Sequence, residues 1–137
     1  MIDAVFTEIA PFHATIKIWK TVPLATDTLT GFADFVIAKK EMYVMSPLLC
    51  VALAKRDDFF SGRTQCLAMM VACAWQNQQA GGDIDIYGIV SNGQGWVFYR
   101  LATDRKVWES AQYSLHELPV LLGILDYVCA ACAANIV

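Results

Sequence analysis

Charge is scarce in this sequence, and an excess of positive charge is absent. Lys and Arg number 10 against 13 Asp and Glu in 137 residues, so 17% of the chain is charged and its net charge is −3. A dedicated nucleic-acid binder carries a basic surplus that neutralises phosphate. This chain has none, and any such binding must rest on a local patch. A long apolar run is missing too. The longest stretch without a charge, Thr64 to Gly82, carries Gln76, Asn77, Gln78 and Gln79 near its end. Its apolar part falls well short of the ~20 residues a membrane span needs. The start, MIDAVFTEIAPF, lacks the basic region and apolar core of a signal peptide. No repeat, low-complexity run or linker divides the chain. These absences predict a single cytoplasmic domain over residues 1–137, with no membrane contact.

A disulfide framework is also missing, because the five cysteines are odd in number. The C-x-x-C of Cys129 and Cys132 has no second pair, and His13 and His116 lie far apart in sequence. A four-ligand zinc site is therefore not expected, and the thiols read as small core hydrophobes.

What the chain does have is apolar surface, with 57% of its residues hydrophobic. A domain of this length buries about 70% of its unfolded surface and needs neither metal nor disulfide to stay folded. Apolar content this high implies a large core together with surface hidden in a partner.

The pattern along the chain predicts an α/β domain. ATIKIWKT (Ala14 to Thr21) alternates as a half-buried strand does, with Lys17 and Lys20 on opposite faces near its end. VPLATDTLTG reads as a loop, and GFADFVIA (Gly31 to Ala38) as a second strand. From Leu48 to Lys55 a third strand is nearly continuous in apolar residues, as a central strand covered on both faces would be. A helix follows from about Asp58 to Gln79, apolar on most sides. IDIYGIV and WVFYRLA, joined by SNGQG, form a hairpin, and an edge strand or loop surrounds Trp108. Ser114 and Glu117 have capping-box spacing ahead of a last helix whose apolar stripe runs through Leu115, Leu118, Leu122, Leu125, Cys129 and Cys132. The order strand-strand-strand-helix-strand-strand-helix implies a mixed β-sheet flanked by helices.

Two charges interrupt the apolar strands. Asp34 lies inside the second strand and Lys55 ends the third. A buried charge is costly alone, so each needs a partner or a cleft, and adjacent strands can bring the two together at one end of the sheet. Gln65, polar in an apolar helix, can point to the same place. In the pattern D…(D/E)-x-K, two acids hold Mg²⁺, which activates water and stabilises phosphate charge, while the lysine serves the nucleophile. Alternation puts the second acid, two residues before the lysine, on the lysine's face.

The blocks LTGFADFVIA, SPLLCVALAKRDDFFSGRTQCLAMM and DIYGIVSNGQGWVFYRL resemble the PD-(D/E)XK nuclease superfamily, in particular small uncharacterised bacterial, often cyanobacterial, members. The resemblance covers about Leu29 to Leu101 and implies a restriction-endonuclease-like fold. Carried over, Asp34 matches the first metal-binding acid, Lys55 the motif lysine and Gln65 the glutamine of the following helix. The second acid is replaced by Leu53, and Met45 and Met69 also stand where glutamates are expected. The family's N-terminal helix has only about a dozen residues to occupy here, with Glu8 as their sole glutamate.

The resemblance therefore implies a vestigial centre, with Asp34 as the one remaining metal ligand, and a domain that binds or assembles rather than cleaves. The alternatives are an active Mg²⁺-dependent DNA endonuclease with a relocated acid, or a structural homo-oligomer without nucleic-acid contact. From the residues alone, Asp34 and Lys55 also read as a structural ion pair, Gln65 as a backbone partner, and Asp57 and Asp58 as a helix cap. Lys39, Lys40, Arg56 and Arg63 read as a solvated face or as a phosphate-binding patch for DNA. The last helix, with Leu121, Ile124 and Val128 as a second apolar set, predicts a two-fold dimer.

Overall fold

A computed structural model of the chain describes residues 2–9, 13–55 and 59–136. Helix α1 (Ile2–Ile9) precedes strands β1 (Ile16–Ala25), β2 (Thr30–Lys39) and β3 (Leu48–Ala54). Helix α2 (Phe59–Gln79) leads to β4 (Ile86–Ser91), β5 (Gly95–Leu101), β6 (Val107–Glu109) and β7 (Tyr113–Ser114), and a 3-10 turn (Leu115–Glu117) opens helix α3 (Leu118–Ala134). The strands form one seven-stranded sheet in the order β1-β2-β3-β4-β5-β6, with β7 also on β5. Only β3 and β4 pair in parallel, and α2 makes the crossover that parallel neighbours require. The fold is a mixed α/β arrangement with a mostly antiparallel sheet. Helices α1 and α3 cover one face and α2 the other.

Burial follows the sequence pattern at the centre. Leu48 to Leu53 of β3 are buried without a break, as is all of β4, which is why these strands are apolar on both parities. Helix α2 lies directly on β4 because Gly88 has no side chain. A Cβ there would stand 2.5 Å from Met70 Sδ and 2.8 Å from Cys66 Sγ. The β4–β5 hairpin closes as expected, with Asn92 Oδ1 accepting from Gln94 N at 3.0 Å and Gly95 N at 2.7 Å. Gly93 takes φ 95°, a conformation costly for any residue with a Cβ.

Three expectations change. The stretch read as a loop is half strand, since pairing runs on to Ala25↔Thr30. The N-terminal segment, assigned no element from its sequence, forms α1. It buries Val5, Phe6 and Ile9, with the Phe6 ring edge-on to Phe35 at 5.6 Å. The apolar stripe of α3 is also rotated. Its buried residues are Leu121, Leu125, Val128, Cys129 and Cys132, while Leu118 is exposed. The capping box at Ser114 and Glu117 forms, but on the 3-10 turn. Three residues per turn there, followed by 3.6 in the α-helix, shift the phase between Leu115 and the residues after Pro119. The segment Leu115–Ala134 is also long and apolar enough, by length and composition, to cross a membrane. Here its buried face packs on the sheet.

One polar side chain ties the layers together. Asn77, 2% exposed near the end of α2, accepts from Leu48 N at 2.7 Å and donates to Leu48 O at 2.8 Å. Its amide thus copies the two-bond pairing of a neighbouring strand. Replacing it with leucine leaves a buried N–H and C=O unpaired, at about 1–3 kcal/mol each. Asn77→Leu is therefore expected to lower unfolding stability by about 2–6 kcal/mol in urea titration. A loss below experimental error would show that water replaces the amide.

Candidate functional site

Asp34 stands where the β1–β2 hairpin turns over. Ile16 and Ile18 face α1 and α3, yet Val22 and Leu24, of the same parity, face α2. The same switch occurs in β2, where Phe35 and Ile37 face α1 and α3 while Ala33 faces α2. Regular alternation would keep each set on one face. The inversion falls between the pairs Lys20↔Phe35 and Val22↔Ala33, at Thr21 and Asp34. Thr21 holds φ at 51°, a left-handed conformation that costs an L-residue roughly 1–2 kcal/mol. Beyond this corner the hairpin tip lies across α2. Gly31 packs close to the Met69 thioether, and Gln76 Nε2 donates to Ala25 O at 3.1 Å.

The corner takes the end of β2 away from β3. The β2–β3 register stops at Phe35↔Ala52, and Asp34 Oδ2 accepts from Ala54 N at 2.8 Å. The carboxylate supplies the acceptor where strand pairing has ended. This is a structural task for an acid that the sequence reading assigned to metal or to Lys55.

Lys55 lies at the same end of the sheet, half-buried, with its N–H donated to Ser91 O at 2.8 Å. Its stem runs beneath Gly62 of α2, where a Cβ would come within 2.9 Å of Lys55 Cγ and of Val90 Cγ1. Among the described residues no carboxylate forms an ion pair with Lys55. The expected Asp34–Lys55 pair is therefore replaced by Asp34 bonding to the backbone one residue before the lysine. Gln65 is half-buried on α2, and among the described residues nothing hydrogen-bonds its amide. Leu53 is 0% exposed and belongs to the core between the sheet and α2.

The expected basic patch divides. Lys39 and Lys40 are at the far end of β2 from Asp34, and Lys39 Nζ sits 3.5 Å from Glu41 Oε1. Arg63 is on α2 and reaches across to β6, with its Nε 3.5 Å from Glu109 Oε1. Burial and a hydrogen bond to Glu109 push the Tyr99 phenol well above its ordinary value. Arg56, Asp57 and Asp58 lie outside the described residues.

Mg²⁺ asks for near-octahedral oxygen ligation. The described residues at this corner offer one carboxylate, already bonded to Ala54 N, and an apolar side chain at position 53. They do not fit that ion. Among the described residues no three His, Cys, Asp or Glu side chains cluster as metal ligands. The cysteines are all buried, and burial pushes the Cys66 and Cys129 thiols up to about 12. At neutral pH both are uncharged and poor nucleophiles.

Sequence reasoning missed Thr21 and Asn77. Thr21 carries no local signal, because nothing about a threonine in a strand announces a left-handed φ. Asn77 was open to detection as the one amide of a Gln-Asn-Gln-Gln run that falls on the buried side of α2.

Three substitutions at two positions test this geometry. Leu53→Glu places a carboxylate in the core and is expected to cost about 3–5 kcal/mol in urea unfolding. A fully stable variant would show that residue 53 reaches solvent. Asp34→Ala is expected to lower the melting temperature by a few degrees and Asp34→Asn by less, since the amide oxygen can still accept from Ala54. Equal losses would mean the charge, rather than the acceptor, matters. No family model, no curated protein and no solved structure matches this chain.

Proposed function

We propose that the chain is a PD-(D/E)XK nuclease-like domain of restriction-endonuclease-like topology that has lost its nuclease centre and serves as a binding or assembly module. The fold-level part rests on the three resembling sequence blocks. The antiparallel β1–β2–β3 meander and the helical crossover into parallel β4 are consistent with it.

One observation carries the loss of chemistry. Leu53, at the position of the second acid, is sealed in the core beneath α2. Metal-assisted phosphodiester hydrolysis needs an ion that generates hydroxide and stabilises the developing charge, and one exposed carboxylate does not hold it. Neither linear nor plasmid DNA is expected to be cut in Mg²⁺ or Mn²⁺. Metal-dependent cleavage that vanishes in Asp34→Ala would overturn the proposal and restore an active endonuclease with a relocated acid.

A second reading, a homo-oligomer without nucleic-acid contact, has an observation of its own. The outer side of α3 exposes Val120 and Tyr127, and Leu118 is exposed at the start of the helix. The one charge of the helix, Asp126, is held 2.7 Å from His13 Nε2. A surface helix ordinarily turns charge to water. The interface expected from sequence at Leu121 and Ile124 moves accordingly, because Leu121 is 0% exposed within the monomer. Light scattering after gel filtration is expected to give the mass of two chains, falling to one in Val120→Glu/Tyr127→Glu. A single-chain mass for the parent at micromolar concentration would reject assembly.

A further inference from the structure

A groove opens on the α3 side of the sheet, between α3 and the strands β5 and β6. Its volume is about 320 Å³, at the lower end of the roughly 300–1,000 Å³ of small-molecule sites. Neither Asp34 nor Lys55 lines it, so it is separate from the corner described above.

The strand register builds its floor. Tyr87 lies opposite Arg100, and Arg100 opposite Trp108. Residues directly opposite in antiparallel strands share a face, and the Tyr87 ring belongs to the core beneath α3. Tyr87, Arg100 and Trp108 therefore make one row across three strands on that side. Phe98, two residues before Arg100, continues the floor on the same face. Helix α3 supplies the facing wall with Ile124 and Tyr127. Trp108 is 55% exposed and Tyr127 65%. Large rings exposed singly need no reason, but two of them bordering one concave apolar surface mark a binding site.

The charge in this groove is held in place and left without a hydrogen bond. Arg100 Cζ lies 5.6 Å from the centre of the Trp108 ring, and a guanidinium over an indole face is partly fixed in position. Its Nε is shut off from water with no hydrogen-bond partner. Asp85 Oδ2 stands 4.0 Å from that nitrogen, beyond hydrogen-bond reach, while Asp85 Oδ1 accepts from Thr103 N at 3.2 Å. Among the described residues nothing hydrogen-bonds the rest of the guanidinium. Glu109 borders the groove, but its carboxylate is on the α2 side of the sheet with Arg63. Burial pushes the Tyr87 phenol up, with the nearby Tyr127 adding to the effect, so at neutral pH it stays uncharged.

Aromatic walls around one guanidinium select a flat apolar ligand that carries a single negative charge. The arginine fork matches the two oxygens of a carboxylate. A phosphate dianion is disfavoured, because Asp85 already shares the field of Arg100 and repels further negative charge. A cation, which an aromatic cage would otherwise attract, is opposed by Arg100 itself.

We propose that this groove binds a small planar aromatic carboxylate of one or two rings, its ring laid on Phe98 between Trp108 and Tyr127 and its carboxylate on the Arg100 guanidinium. The inference does not rest on the nuclease-like reading. DNA cleavage tests the Asp34 corner and light scattering tests assembly, and neither measurement reads the groove.

Isothermal titration of the full chain with 2-naphthoate, 2-naphthylmethanol, 2-naphthylmethylamine, 2-naphthyl phosphate and acetate decides it. The naphthoate is expected to bind, with each of the others at least about tenfold weaker, because each lacks the ring or the carboxylate or carries the wrong charge. Arg100→Gln is expected to weaken the naphthoate at least about tenfold, and Arg100→Lys and Trp108→Ala several-fold. Lys106→Ala should stay within a few-fold of the parent, with circular dichroism confirming that each variant is folded. Four results would overturn the proposal: no heat with the naphthoate at millimolar concentration, the alcohol or the amine equal to it, the phosphate binding more tightly, or unchanged affinity in folded Arg100→Gln. The comparison of ligands on the parent chain decides the matter even if that variant does not fold.

Discussion

The inversion of the β1–β2 hairpin at Thr21 and Asp34 is the constraint on which the rest of the architecture depends. Before it, the hairpin is an ordinary part of the sheet, with its inner residues turned to α1 and α3. After it, the same parity points to α2. The hairpin tip can therefore cover a helix that already lies on β4, and α2 acquires two apolar neighbours instead of one. That accounts for a helix with so little polar surface along its middle. The left-handed Thr21 is tolerated because burial on both sides of the corner outweighs roughly 1–2 kcal/mol of local strain.

The corner also decides what the charges of Asp34 and Lys55 do. Strand β2 leaves β3 at Asp34, and an unpaired amide at Ala54 has to be satisfied there. The carboxylate is the nearest acceptor and takes it. Lys55 then packs its stem under Gly62 and reaches out of the core, as long cationic side chains do when only their methylenes are buried. The residues that resemble a hydrolytic motif are thus explained by strand geometry and packing.

Much of this fold was legible in the sequence, for reasons that differ by element. Strands β3 and β4 announce themselves because they are apolar on both parities, and the β4–β5 turn because Asn92 and Gly93 have the needed chemistry. Helix α1 was not legible, since eight residues are too short for periodicity to separate helix from strand, and its stability comes from Phe6 packing on Phe35. The phase of α3 was misread because a capping box normally starts an α-helix, whereas here it starts a 3-10 turn. Of the candidate site, the common location of Asp34 and Lys55 at one end of the sheet followed from strand order. Their separation did not, because an ion pair and a carboxylate-to-backbone bond leave the same trace in a sequence.

The pair of hydrogen bonds between Asn77 and Leu48 joins residues 29 apart in the chain, and it bears on how the molecule comes apart. Strand β3 obtains one of its ladder partners from the last turns of α2, so neither can fray by itself. Fraying normally begins at a helix end, but here it must wait for the first residue of the central strand to be released. The β3–α2–β4 crossover consequently opens as one cooperative unit, and the Leu48 amide belongs with the slowest-exchanging protons of the protein rather than with those of a strand terminus.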